Sequence, residues 1–134
     1  MPTYSGVWTL PAQMQAQAQG LWPVVLDNRA LFGGGNNGDY TNVISYVDIS
    51  STGNATDFGD LTITLQGLGS CSSVSRGIFG GGTGGSPAAD RNVINYVTIA
   101  TTGNASSFGE LSARYADVKA CSSSTRGVFG GGYV

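Results

Sequence analysis

Short apolar runs closed by glycines return three times along the chain, as Arg29-Ala30-Leu31-Phe32-Gly33-Gly34-Gly35, Arg76-Gly77-Ile78-Phe79-Gly80-Gly81-Gly82 and Arg126-Gly127-Val128-Phe129-Gly130-Gly131-Gly132. Each is too short for a helix, and its bulky residues followed by glycine predict a short strand, Arg76 to Phe79 in the middle copy. Missing Cβ atoms at the glycines allow positive φ and close approach of neighbouring backbones. Asn92-Val93-Ile94-Asn95-Tyr96-Val97-Thr98-Ile99 follows, rich in β-branched and aromatic residues, with apolar side chains on both faces. That pattern predicts a strand covered from two sides. Thr102-Gly103-Asn104-Ala105 then carries turn chemistry, and Phe108-Gly109-Glu110-Leu111 and the stretch from Ala113 to Cys121 supply the remaining strands.

The copies keep register. Arg29 to Arg76 is 47 residues and Arg76 to Arg126 is 50, while Asn42 to Asn92, Asn54 to Asn104 and Cys71 to Cys121 are each 50. One loop absorbs the difference. It runs from Asn36 to Thr41 in the first copy and from Thr83 to Arg91 in the second, three residues more, as a surface connection tolerates. A unit that cannot bury its own apolar faces must stack on its neighbours. The predicted fold is all-β, in blades of about four antiparallel strands of the β-propeller kind, spanning residues 29–75, 76–125 and 126–134, the last only an opening strand.

Residues 1–28 stand outside the repeat. Thr9 caps a predicted helix with Pro11 in its first turn and a run of good helix formers from Ala12 to Gln19, stopped by Gly20. Leu10, Met14, Ala18 and Leu21 fall near one face, which so short a helix must bury to persist. A sister chain and the first blade are equally good covers for that face and for Trp8 and Trp22. The candidate attachment residues are therefore Trp8, Leu10, Met14, Leu21 and Trp22.

Composition narrows the function classes. Charged residues are 10% of the chain, against about 25% in an average domain, and the net charge is −2 with six basic residues scattered singly. No basic face for nucleic acid or anionic lipid is expected. No apolar stretch approaches the roughly 20 residues needed to span a bilayer, and the first residues lack the basic start and apolar core of a signal peptide. Cys71 and Cys121 occupy equivalent places, which stacked units would hold near 10 Å apart, beyond the roughly 7 Å that a disulfide allows between Cα atoms. Two buried thiols are expected.

Several motifs give way to plainer readings. Gly80-x-Gly82-x-x-Gly85 fits a dinucleotide-binding loop, but Ser86-Pro87 and a strand follow where a helix is required. Asp57-Phe58-Gly59 becomes Ser107-Phe108-Gly109 in the next copy, so its kinase-like spelling is coincidental. The sequons Asn54-Ala55-Thr56 and Asn104-Ala105-Ser106 read as turns. Asn36-Asn37-Gly38-Asp39 has oxygen ligands suited to calcium, yet Thr83-Gly84-Gly85-Ser86 has lost them. The chain has no histidine, no C-x-x-C pair and no Ser or Cys with an evident activating partner, so no catalytic residue, cofactor or metal is assigned.

The ordered set [IV]-F-G-G-G, N-V-I-x-Y-V-x-I, T-G-N-A, F-G-[DE]-L, C-S-S and R-G-[IV]-F-G-G-G, from Arg29 to Val134, resembles the kelch-like propeller repeats of bacteriophage tail-fibre proteins, notably those of marine and cyanobacterial hosts. The opening Ser5-Gly6-Val7-Trp8-Thr9-Leu10, continuing to Gly20-Leu21-Trp22-Pro23, is similar to a leader that begins many phage tail proteins. Gly33-Gly34, Gly80-Gly81 and Gly130-Gly131 match the kelch glycine pair and Tyr46 and Tyr96 its tyrosine, while Phe58 and Phe108 stand where tryptophan is usual. The resemblance implies a structural protein of the virion, a tail fibre or fibre-like appendage attached through its amino-terminal segment, with propeller loops that bind a host-surface receptor such as a glycan. The implied partners are further copies of itself, as a homotrimer, and other virion proteins. A non-viral cell-surface or cytoplasmic interaction propeller is the alternative; a galactose-oxidase-like enzyme would need a metal cluster that is not evident.

The variable loop supplies the candidate recognition residues: Asn36, Asn37, Asp39 and Tyr40 in one copy, and Thr83, Ser86, Asp90 and Arg91 in the other. A propeller needs roughly four to eight blades. Two arrangements meet that need, three chains lending two blades each or a longer natural chain with more blades, and the second is preferred.

Overall fold

The computed structural model describes residues 28–134. These are all-β, with no helix among them. β1 (Arg29–Asn36), β2 (Tyr40–Asp48) and β3 (Thr56–Asp60) form one antiparallel sheet. The second sheet has the order β10-β9-β6-β5, built from β5 (Gly69–Ser72), β6 (Arg76–Gly80), β9 (Val93–Thr98) and β10 (Ser106–Glu110). β11 (Lys119–Ser122) and β12 (Gly127–Gly130) make a two-stranded third. A small satellite sheet holds β4 (Leu65–Gln66), β7 (Thr83–Gly84) and β8 (Ala89–Asp90).

Sheet and sequence repeat are out of phase. β5, which closes the 29–75 copy in sequence, bonds forward to β6, with Cys71 opposite Ile78, and β11 pairs with β12 in the same register, Cys121 opposite Val128. The connecting turns repeat too: Ser73 N–H donates to the Arg76 carbonyl at 2.9 Å and Ser123 N–H to the Arg126 carbonyl at 2.8 Å. The second sheet has four antiparallel strands, the number expected, but its outermost strand β5 comes from the preceding copy, and the stretch Ala113 to Cys121, expected to close this sheet, gives β11 to the third sheet instead. The sheets do not close into a ring among the described residues, so what the structure shows is an all-β stack of three antiparallel sheets, which we call blades, and not the expected propeller.

Strand alternation explains the stacking. On β1 and β2, Leu31, Gly33, Ile44 and Tyr46 share the face toward the second blade, while Phe32, Val43 and Ser45 face away. Ile44, Phe58, Leu61 and Leu65 meet Phe79 and Val97 in the core between the two blades. The glycines make room for rings: a Cβ on Gly33 would lie 2.9 Å from the Phe79 ring, and one on Gly80 would lie 2.9 Å from the Phe129 ring. Backbone bonds cross the same seam, from Gly103 N–H to the Phe58 carbonyl at 2.8 Å and Ala105 N–H to the Asp60 carbonyl at 2.7 Å. Asn104, read from sequence as a turn residue only, also accepts the Asp60 N–H at 3.0 Å across the blades.

Two expectations change or fall outside. Both cysteines are free, but Cys71 is only half-buried and Cys121 is exposed. The difference follows from stacking, because Cys71 Sγ sits 2.7 Å from where a Gly127 Cβ would be, and among the described residues no corresponding strand covers Cys121. Desolvation, with a smaller contribution from Cys121, holds the Cys71 thiol above its ordinary pKa. The predicted helix from Thr9 and the attachment residues Trp8, Leu10, Met14, Leu21 and Trp22 lie outside the described residues.

Candidate recognition surface

Equivalent strand pairs carry the two variable loops, β1–β2 the first and β6–β9 the second, so both emerge from the same end of their blades. The first is a tight hairpin. Asn36 pairs with Tyr40, leaving Asn37, Gly38 and Asp39 at the tip. The Asn36 side-chain oxygen accepts the Gly38 N–H at 2.9 Å, an Asx turn that fixes the bend. Asn37 and Asp39 are exposed and Tyr40 is half-buried.

The second loop uses its three extra residues to fold back as the ribbon β7–β8, which attaches to β4. Thr83 Oγ1 donates to Asp90 Oδ1 at 2.7 Å. Arg91 clamps the ribbon from inside, its Nε donating to the Gly84 carbonyl at 2.9 Å and its Nη2 to the Pro87 carbonyl at 3.0 Å. Gly85 N–H reaches the Thr64 carbonyl at 3.0 Å, tying the ribbon to the first blade. Thr83, Asp90 and Arg91 therefore position the loop, and the exposed tip is Ser86, Pro87 and Ala88, with a cis bond between the first two.

β4 packs against β1 and β2 while pairing with β7, which places it between the two loops. No described hydrogen bond joins one loop to the other. The eight candidate residues thus make two neighbouring tips separated by β4, with Asn37, Asp39 and Ser86 most available to a ligand.

A second repeated arrangement escaped the sequence reading. Arg29 lies over the Tyr46 ring at 4.8 Å and Tyr46 meets Phe58 edge-on at 5.9 Å; Arg76, Tyr96 and Phe108 repeat this at 5.0 Å and 6.1 Å. Arg29 Nη1 also donates to the Ile99 carbonyl of the next blade at 2.9 Å. Clefts of about 290 and 280 Å3 open beside these arginines, one containing Arg29, Ser70 and Ser72, the other Arg76, Phe108, Ser122 and Ser123. The recurrence of Arg in three copies and of Cys-Ser-Ser in two was their only signal, and it reads equally as framework. No protein-family model matches this chain, and no curated protein matches it.

Proposed function

We propose that this chain is a structural and recognition module of a bacteriophage particle, part of a tail fibre or fibre-like appendage. Its segment 1–28 attaches it to the particle, its copies associate as a trimer, and its two loop tips contact a host-surface glycan. One observation carries the recognition part: the ring-on-glycine contact of the seam recurs at equivalent positions, Phe79 on Gly33 and Phe129 on Gly80, while the two loops leaving the same end differ in length, fold and exposed chemistry. A frame held constant under varied tips suits a surface whose specificity lies in its loops. The small polar groups of Asn37, Asp39 and Ser86 suit hydroxyl-rich ligands, for which they offer donors and acceptors without large apolar area. The phage setting rests on the likeness of the repeat and leader to those of tail-fibre proteins.

The test is binding of the labelled full chain to lipopolysaccharide extracted from a panel of cyanobacteria. Binding to some of them is expected, with the Asn37→Ala/Asp39→Ala variant weakened by about tenfold or more at an unchanged melting temperature. Failure to bind any of the panel, or equal binding by the variant, overturns the recognition reading.

A further inference from the structure

The two ends of the blade series carry the two halves of one interface. Inside the chain that interface is made twice, by Phe79 on Gly33 and by Phe129 on Gly80. Phe32 occupies the same place in the first blade as Phe79 does in the second, yet it is 61% exposed where Phe79 is 3% exposed. At the opposite end Gly130 is the counterpart of Gly33 and Gly80, and among the described residues nothing lies within 4 Å of where its Cβ would be. Among the described residues, one end therefore presents an uncovered ring and the other an uncovered hollow.

Both ends are apolar beyond that pair. Val43, 43% exposed, shares the outward face with Phe32, and Val128, 59% exposed, lies beside Gly130 on the outward face of β12. We infer that a second copy of this chain docks head to tail, Phe32 of one copy seated on Gly130 of the other, continuing the seam that already joins blade to blade. The occupant is a copy of the chain because the glycine-backed strand that recurs in this sequence supplies both ring and hollow at the matching spacing. Such an interface is heterologous: every copy has one of each half, so association closes a ring or extends a row. An aromatic anchor entering a hollow without side chains is the type of contact that dominates interface energies. The inference rests on the repeat geometry and not on the phage setting, so it fails separately from the binding test above.

Sedimentation equilibrium of the full chain across a concentration series decides it, with two variants at exposed positions that leave the internal seams intact. Wild type is expected to associate reversibly, and Phe32→Ser and Gly130→Leu each to weaken association about tenfold or more. Mixing the two variants is the sharper arm. Phe32→Ser keeps a good hollow and Gly130→Leu a good ring, so the mixture should form a heterodimer and nothing larger, whereas a two-fold symmetric interface would not be restored by mixing. A monomer at every concentration, whichever segment then covers Phe32, overturns the inference, as does association that neither variant disturbs.

Discussion

Asn95 is the fully buried polar side chain of the described residues, and it sits in the seam rather than at a surface. Its Oδ1 accepts the Thr62 N–H at 3.1 Å and the Thr62 hydroxyl at 2.7 Å, while its Nδ2 has no described hydrogen-bond partner. Asn95→Asp keeps both acceptor bonds and removes that donor, but buries a carboxylate. At pH 7 the variant should lose about 3–5 kcal/mol, the usual cost of an unpaired buried charge. Burial raises a carboxyl's folded-state pKa above its unfolded value, so the penalty is complete above the folded pKa, fades as pH falls from the folded toward the unfolded pKa, and is gone below the unfolded pKa. Urea unfolding at pH 7 and at pH 4 reads this directly, and a loss that is equal at both would show that the site is wet. The sequence pointed to a strand covered on both faces but did not single out Asn95, because nothing within Asn-Val-Ile-Asn-Tyr tells which of its polar side chains the cover reaches, and Ser45 stands at the same place in the preceding copy. Burial at this position is decided by the neighbouring blade, which single-strand alternation cannot report.

At the scale of strands, the apolar runs and their closing glycines were legible, because side-chain alternation and glycine punctuation are local properties of a β-strand. The forward pairing of β5 was not. Gly69-Ser70-Cys71-Ser72 has no hydrophobic alternation, so nothing local says whether it belongs to the sheet before or after it. The ribbon β7–β8 was hidden for a similar reason, since two-residue strands held by Arg91 and Asp90 look like any polar insertion. The seam glycines lend themselves to a graded test. Gly33→Ala, Gly80→Ala and Gly130→Ala place the same methyl at equivalent positions against a buried ring, a half-buried ring and open space. Overpacking a core costs about 1–3 kcal/mol. The expected order of destabilisation by chemical denaturation is therefore Gly33 first, Gly80 smaller because Phe129 can yield toward solvent, and Gly130 near zero in the monomer. Equal effects at all three would mean that the rings do not seat on the glycine backbones.

For the molecule as a whole, unequal blades imply unequal stability. In a stacked series each unit is stabilised mainly by its neighbours, so a unit covered on both faces opens last. The second blade has Phe79 and Val97 buried at 3% each against the first, and Phe129 against its other face. The third has two strands, an outward face bearing Val128, and a free lateral edge on β12. Amides of β6 and β9 should therefore exchange slowest by hydrogen–deuterium exchange and those of β12 fastest among the strands that form the three blades. The open third blade also explains why Phe108 is 55% exposed when its counterpart Phe58 is 3% exposed. Concentration links this profile to self-association: if Phe32 of another copy seats on Gly130, protection of β12 rises as the protein is concentrated, and it should not do so in Phe32→Ser. Uniform exchange across the three blades would instead mean that the series opens only as one cooperative unit, with seam strength shared evenly despite the difference in cover.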